Sequence, residues 1–174
     1  MHNFAGPFFA VALVIVFFTF LRSNMPSRDD LRWLARGGGL FGGAEPPSHR
    51  FNAGEKIVFW VGVLVLGIVS VSSGLVLDKL LPGLAYTRDD MQVAHMVHLA
   101  STVLMTIVFI AHTYLGTIGM VGSYRAMKTG YVDESWAKSH HRYWYDDIKA
   151  GRIPADRSAK PAAATRTREQ PSSP

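Results

Sequence analysis

Three long runs without an Asp, Glu, Lys or Arg constrain this chain more than any other feature: Phe4–Leu21, Ile57–Leu77 and Met91–Tyr124. The hydrocarbon core of a bilayer takes about 20 apolar residues as helix, and each run approaches or exceeds that length. In lipid every backbone N–H and C=O must be satisfied within the protein, which leaves helices and closed barrels. Runs of this length without polar and apolar alternation read as helices. The expected fold is all-α: an integral membrane bundle over about residues 1–150, with transmembrane helices at about 4–22, 54–77 and 92–121.

A formal net charge of +5 invites a nucleic-acid reading, but the cations sit in particular loops. Arg22, Arg28, Arg32, Arg36, Arg50 and Lys56 lie between the first and second runs, and Arg125, Lys128, Lys138, Arg142, Lys149 and Arg152 follow the third. The loop Asp78–Gln92 sets Lys79 and Arg88 against Asp78, Asp89 and Asp90. The positive-inside rule then places the first loop and the C-terminus in the cytoplasm and the N-terminus outside. The partner implied is the lipid bilayer, not nucleic acid. Met1–Phe4 lacks a positive n-region and the first run is followed by Arg22, so that run reads as a retained span, not a cleaved signal. With no cysteine, the chain holds no iron–sulfur cluster of its own, and any such centre belongs to a partner.

Histidines inside an apolar run require a reason. His98 and His112 are 14 residues apart, which puts them within roughly 40° of one helix face and about 21 Å apart along the axis. That spacing suits two stacked haems. Hydrogen bonding between helices accounts for intramembrane histidines equally well. His95 is turned roughly 100° from the His112 direction and reads as interfacial, or as a partner for a haem propionate. Topology puts His2 at the outer surface, where it and His98 can flank one outer haem. His112 lies four turns deeper and needs an imidazole from the cytoplasmic side, for which His49 is a poor candidate.

Between the runs, Asn24–Pro26 carries turn chemistry, and Arg28–Leu34 reads as a short interfacial helix with Trp33 at headgroup level. Gly37–Gly43 reads as a flexible stretch. Asn52 followed by Glu55 is a capping box for the second span. Gly62, Gly67, Ser70, Ser72, Ser73 and Gly74 offer small surfaces for close helix approach or for a flat cofactor. Residues 133–148 mix aromatics with charge and read as an interfacial helix, with His140 and His141 solvated or interfacial. Residues 151–174 read as a disordered cytoplasmic tail.

From His2 to about Ile148 the chain resembles the cytochrome b (gamma) subunit of membrane-bound, quinone-linked formate dehydrogenase. The likeness runs through "MHNFAGPFFAVAL", "NMPSRDDLRWL", "FNAGEKIVFW", "HLASTVLMTIVFIAHTY" and "WAKSHHRYWYDDI". The resemblance implies four membrane helices and two b haems, with His98 and His112 as the ligand pair on the last helix and His2 as the outer partner. The family's first helix has no counterpart here, and the expectation is an upstream segment of about one further span carrying the remaining ligand. The resemblance gives Asn52, Gly54 and Glu55 a second role in binding menaquinone or ubiquinone, with Glu55 where Gln is expected. It further implies an iron–sulfur beta subunit and a molybdenum- or tungsten-containing catalytic alpha subunit as partners, residence in the bacterial inner membrane, and a non-catalytic electron-transfer role for this chain. A cytochrome b anchor for a hydrogenase or other periplasmic reductase, and a haem-free membrane scaffold, are the rival readings.

Overall fold

The computed structural model describes residues 1–39 and 45–153, and among these no strand occurs. Its frame is three helices long and apolar enough to cross a membrane: α1 (His2–Asn24), α3 (Ala53–Leu77) and α4 (Arg88–Gly119). Between α1 and α3 lies α2 (Arg28–Ala35). After α4 come three short helices, α5 (Ser123–Thr129), α6 (Glu134–His140) and α7 (Arg142–Lys149). The chain therefore passes up, down and up, with one short connection, Asp78–Thr87, at one end of the bundle and α2 with α5–α7 at the other. The first is the loop end and the second the cap end.

Side-chain size decides the packing. The largest helix–helix contact is α3 on α4, and α1 packs on α3. A Cβ at Gly62 would lie 3.0 Å from Val108, and one at Gly67 would lie 3.0 Å from Leu13, so these glycines let α4 and α1 approach the α3 backbone. Near the cap end Phe17 of α1 stacks on Phe59 of α3 at 5.5 Å and 7°. Trp60 donates from Nε1 to the Asn24 carbonyl oxygen at 2.8 Å, fixing the last turn of α1. The outer faces of all three long helices are apolar and exposed, Phe4, Ile15, Ile68, Leu99 and Ile107 among them. A water-soluble protein would bury such a surface; a bilayer solvates it.

The helix ends differ from expectation for identifiable reasons. α4 begins at Arg88 rather than near 92, because Thr87 and Asp90 form a reciprocal capping box that starts the helix a turn earlier. It ends at Gly119, where Met120 becomes extended and Gly122 takes a φ of +93°. The segment expected as one interfacial helix over 133–148 is two, α6 and α7, broken at His141 (φ −132°, ψ 56°). The break serves hydrogen bonds to the segment before α3. The Tyr143 N–H donates to the Ser48 carbonyl at 3.0 Å, and His141 Nδ1 donates to the His49 carbonyl at 2.8 Å.

The amphipathic α2 lies where the sequence places it, but Trp33 is not simply a headgroup anchor. Its ring closes over Gly38 and Gly54, so that a Cβ at Gly54 would meet it at 3.1 Å. An ion pair ties α2 to the start of α3: Lys56 Nζ donates to both Asp30 carboxylate oxygens at 2.8 Å. Burial pushes the Asp30 carboxyl up, but the bonds from Lys56 and Ser27 and the Lys56 charge outweigh it and hold the group below its ordinary 3.8. Of the expected flexible glycine stretch, residues 40–44 lie outside the described residues, as do residues 154–174 of the expected tail.

Candidate functional site

At the loop end the structure brings His2 and His98 together, with ring centroids 5.9 Å apart and planes at 76°. His2 opens α1 and His98 lies three turns inside α4, so the pair spans two helices that α3 holds in register. Beside them is a cavity of about 470 Å³ whose lining includes Leu77, His95, Met96, Leu99 and Thr102.

The His98 ring is fixed by α3. Its Nδ1 lies 3.0 Å from the Ser70 carbonyl oxygen and 3.0 Å from Ser73 Oγ. The carbonyl can only accept, so Nδ1 carries a proton, and in the neutral imidazole the lone pair is then on Nε2. The Ser73 hydroxyl donates to the Val69 carbonyl at 2.7 Å, which leaves its oxygen free to accept from the imidazole. Ser70 Oγ in turn donates to Ser101 Oγ at 2.9 Å, clamping α3 to α4 one turn from the ring. Gly74 completes the seat: a Cβ there would lie 3.3 Å from His98 Cε1. Ser70, Ser73 and Gly74 stand at i, i+3 and i+4, one face of a helix. That stripe was visible in the sequence as a surface for packing or for a cofactor, and it serves the imidazole as well as packing. His95 is different, since its Nδ1 donates to the Met91 carbonyl at 2.8 Å within its own helix and its ring is exposed.

His112 lies on the exposed surface of α4 toward the cap end, and no other histidine ring lies against it among the described residues. His49 is turned elsewhere, with Nε2 3.6 Å from Asp29, Nδ1 3.8 Å from Asp147, and its ring 5.2 Å from Tyr143. The charges of His141, His112 and Glu45 act on Glu55 at the start of α3.

At that start the capping box forms as expected. The Glu55 N–H donates to Asn52 Oδ1 at 2.9 Å, and the Asn52 N–H donates to Glu55 Oε2 at 2.8 Å. Glu45, which borders this turn, carries no signal in the sequence. Glu45 accepts from Asn52 Nδ2 at 3.4 Å and from His140 Nδ1 at 2.5 Å. His141, expected to be solvated or interfacial, is instead buried at 5% exposure, because the loop at Ser48 and His49 closes over it. No sequence signal joins residues 95 positions apart, as Glu45 and His140 are.

A membrane-embedded helical bundle with two imidazoles from different helices 5.9 Å apart beside an apolar cavity is the architecture of a membrane cytochrome b. The comparison with known families agrees: the model described as prokaryotic cytochrome b561 matches residues 1–130, and the chain belongs to that family. Among its relatives, the formate dehydrogenase cytochrome b556(fdo) subunit of Escherichia coli K12 is 29% identical over 150 residues, covering 86% of this chain and 70% of that protein. The nitrate-inducible formate dehydrogenase cytochrome b556(Fdn) subunit of the same organism is 26% identical over 152 residues, covering 86% and 69%. The formate dehydrogenase cytochrome b556 subunit of Haemophilus influenzae is 23% identical over 159 residues, covering 90% and 66%.

The residues present fit a haem at the loop end. Metal–imidazole bonds are about 2 Å, so two rings ligating one metal from opposite sides have centroids about 6 Å apart; the His2–His98 separation is 5.9 Å. His98 presents Nε2 with its other nitrogen hydrogen-bonded, the arrangement that metal-ligating histidines adopt.

Proposed function

We propose that this chain is the cytochrome b membrane subunit of a formate dehydrogenase, delivering electrons from an iron–sulfur partner to a quinone. The observation that carries the reading is the His2–His98 pair with the His98 tautomer already set, supported by relatives named as formate dehydrogenase cytochrome b556 subunits. Haem b, when bound, supplies the one-electron iron couple.

The chain's residues do the rest. His2 and His98 would hold the outer haem, and Ser70 and Ser73 orient the His98 imidazole and raise its basicity through the Nδ1 hydrogen bond. The apolar cavity wall lowers the local dielectric. His112 would be the ligand on this chain for an inner haem. The Asn52, Gly54 and Glu55 turn, closed on one side by Trp33, would hold menaquinone or ubiquinone at the cap end.

The basic residues of the cap end set that end in the cytoplasm and the loop end in the periplasm of a bacterial inner membrane. Moving one electron inward against the membrane potential costs about 2.3 kcal/mol per 100 mV. Quinone reduction at the cap end therefore conserves energy as membrane potential. The iron–sulfur subunit would contact the chain from the loop end, where Asp78–Gln92 presents nearly balanced charge.

The test is optical. Formate added to membranes containing the assembled complex should bring up a b-type α-band, and added menaquinone analogue should remove it. Reduction by hydrogen and not by formate would transfer the chain to a hydrogenase, and no b-type band with either donor would leave a haem-free scaffold.

A further inference from the structure

The cap end contains a chain of acid and base groups that neither haem ligation nor helix capping uses in full. His140 is 28% exposed at its side chain, and Glu45 is 15% exposed. Nδ1 of His140 meets Glu45 Oε2, while Glu45 Oε1 accepts from the Asn52 side chain. Asn52 in turn holds Glu55 by its backbone N–H. One residue, Asn52, thus has a carboxyl on each side. One carboxyl leads through an imidazole toward water, and the other faces the turn assigned above to quinone.

A structural ion pair between Glu45 and His140 would tie the loop before α3 to α6. That work is already done by Ser48, whose Oγ donates to the His140 carbonyl at 2.7 Å, and by the Tyr143 N–H on the Ser48 carbonyl. The other charged groups near the chain are occupied or turned away. Lys56 is paired with Asp30, and His141 gives its Nδ1 proton to a backbone carbonyl. The bases whose charges act on Glu55 are His141 at the α6–α7 break and His112 on α4.

We propose that His140 and Glu45 form the proton-entry relay that loads Glu55 for quinone reduction, an inference that rests on the quinone reading above. Reduction of a quinone to its quinol takes two electrons, which arrive through the cytochrome from formate, and two protons, which form the two O–H bonds. Each proton enters at His140 from water, leaves Nδ1 for Glu45 Oε2, and crosses past Asn52 to the Glu55 carboxylate through an intervening water. Glu55 delivers it to the reduced quinone oxygen and returns to the carboxylate. No group is consumed, since His140 is reprotonated from the aqueous phase each cycle.

The experiment uses the assembled complex in native membranes, with Glu45→Gln, His140→Gln and the conservative Glu45→Asp. Glu45→Gln should keep the full b-type difference spectrum, yet slow formate-to-quinone turnover about 100-fold near pH 8, with the deficit shrinking toward pH 6. Its solvent deuterium effect should rise. A carboxyl C=O band in the infrared difference spectrum of quinone reduction should disappear. His140→Gln should reproduce the pH profile more weakly, and Glu45→Asp should restore most of the rate. An unchanged pH profile and infrared spectrum in Glu45→Gln would overturn the relay, as would a pH-independent loss accompanied by loss of the haem spectrum. A wild-type complex reduced by formate but never reoxidised by quinone would instead overturn the quinone reading, and the relay with it.

Discussion

The Nδ1 atom of His98 lies 3.0 Å from the carbonyl oxygen of Ser70, a residue 28 positions earlier on the neighbouring helix. That bond joins packing to chemistry. It positions α3 against α4, and it decides which imidazole nitrogen is left to bind a metal.

The first prediction concerns the seat of the ring. A side chain at Gly74 would press on His98 Cε1, since even a Cβ comes within 3.3 Å. Gly74→Val should leave the protein in the membrane while reducing haem affinity by about 10- to 100-fold, the usual effect of disturbing a ligand's supporting shell. Haem content and membrane yield, measured on the same preparation, check it. Full haem content would mean that Gly74 serves packing alone.

The second concerns Asp30 and Lys56. Lys56 is only 7% exposed, so Asp30→Asn strands a buried ammonium and should cost about 3 kcal/mol of local stability. Because the folded Asp30 pKa lies below the ordinary 3.8, its stabilisation is complete above that value. It is lost as pH falls through the lower folded pKa. Protease cleavage near α2 should therefore increase only below about pH 4 in the wild type, and at neutral pH in Asp30→Asn. Equal resistance of both at pH 7 would show the pair to be dispensable.

The third separates the two ends of α4. His112→Ala should spare the haem held by His2 and His98 and abolish reoxidation by quinone, whereas the outer band persists. Difference spectra after formate and then quinone addition will show which part is lost. Loss of the outer haem in His112→Ala would contradict the assignment of the two histidines to separate sites.

Much of this architecture is written in the sequence because the bilayer imposes a length rule on uncharged runs, and α1, α3 and α4 follow it. The sequence pairs His2 with His98 by topology, since α1 and α4 both enter from the loop end and His98 lies in the outer third of its helix. The Asn52–Glu55 box was legible because capping is local. What escaped depends on long-range contacts. The use of Ser73 and Gly74 against His98 needs the register of α3 on α4, which helical periodicity does not supply. The burial of His141 and the Glu45–His140 contact come from loop closure across more than 90 residues. A local reading of "SHHRYWY" gives those histidines to solvent.

The most direct measurement of the central claim is haem content per chain in the purified complex, by pyridine haemochrome, for wild type, His2→Ala, His98→Ala and His95→Ala. His2→Ala and His98→Ala should each lose the same haem and the same component of the reduced-minus-oxidised spectrum. His95→Ala, whose ring is tied to Met91 on its own helix, should keep the wild-type content. Full haem content in both His2→Ala and His98→Ala would contradict the account.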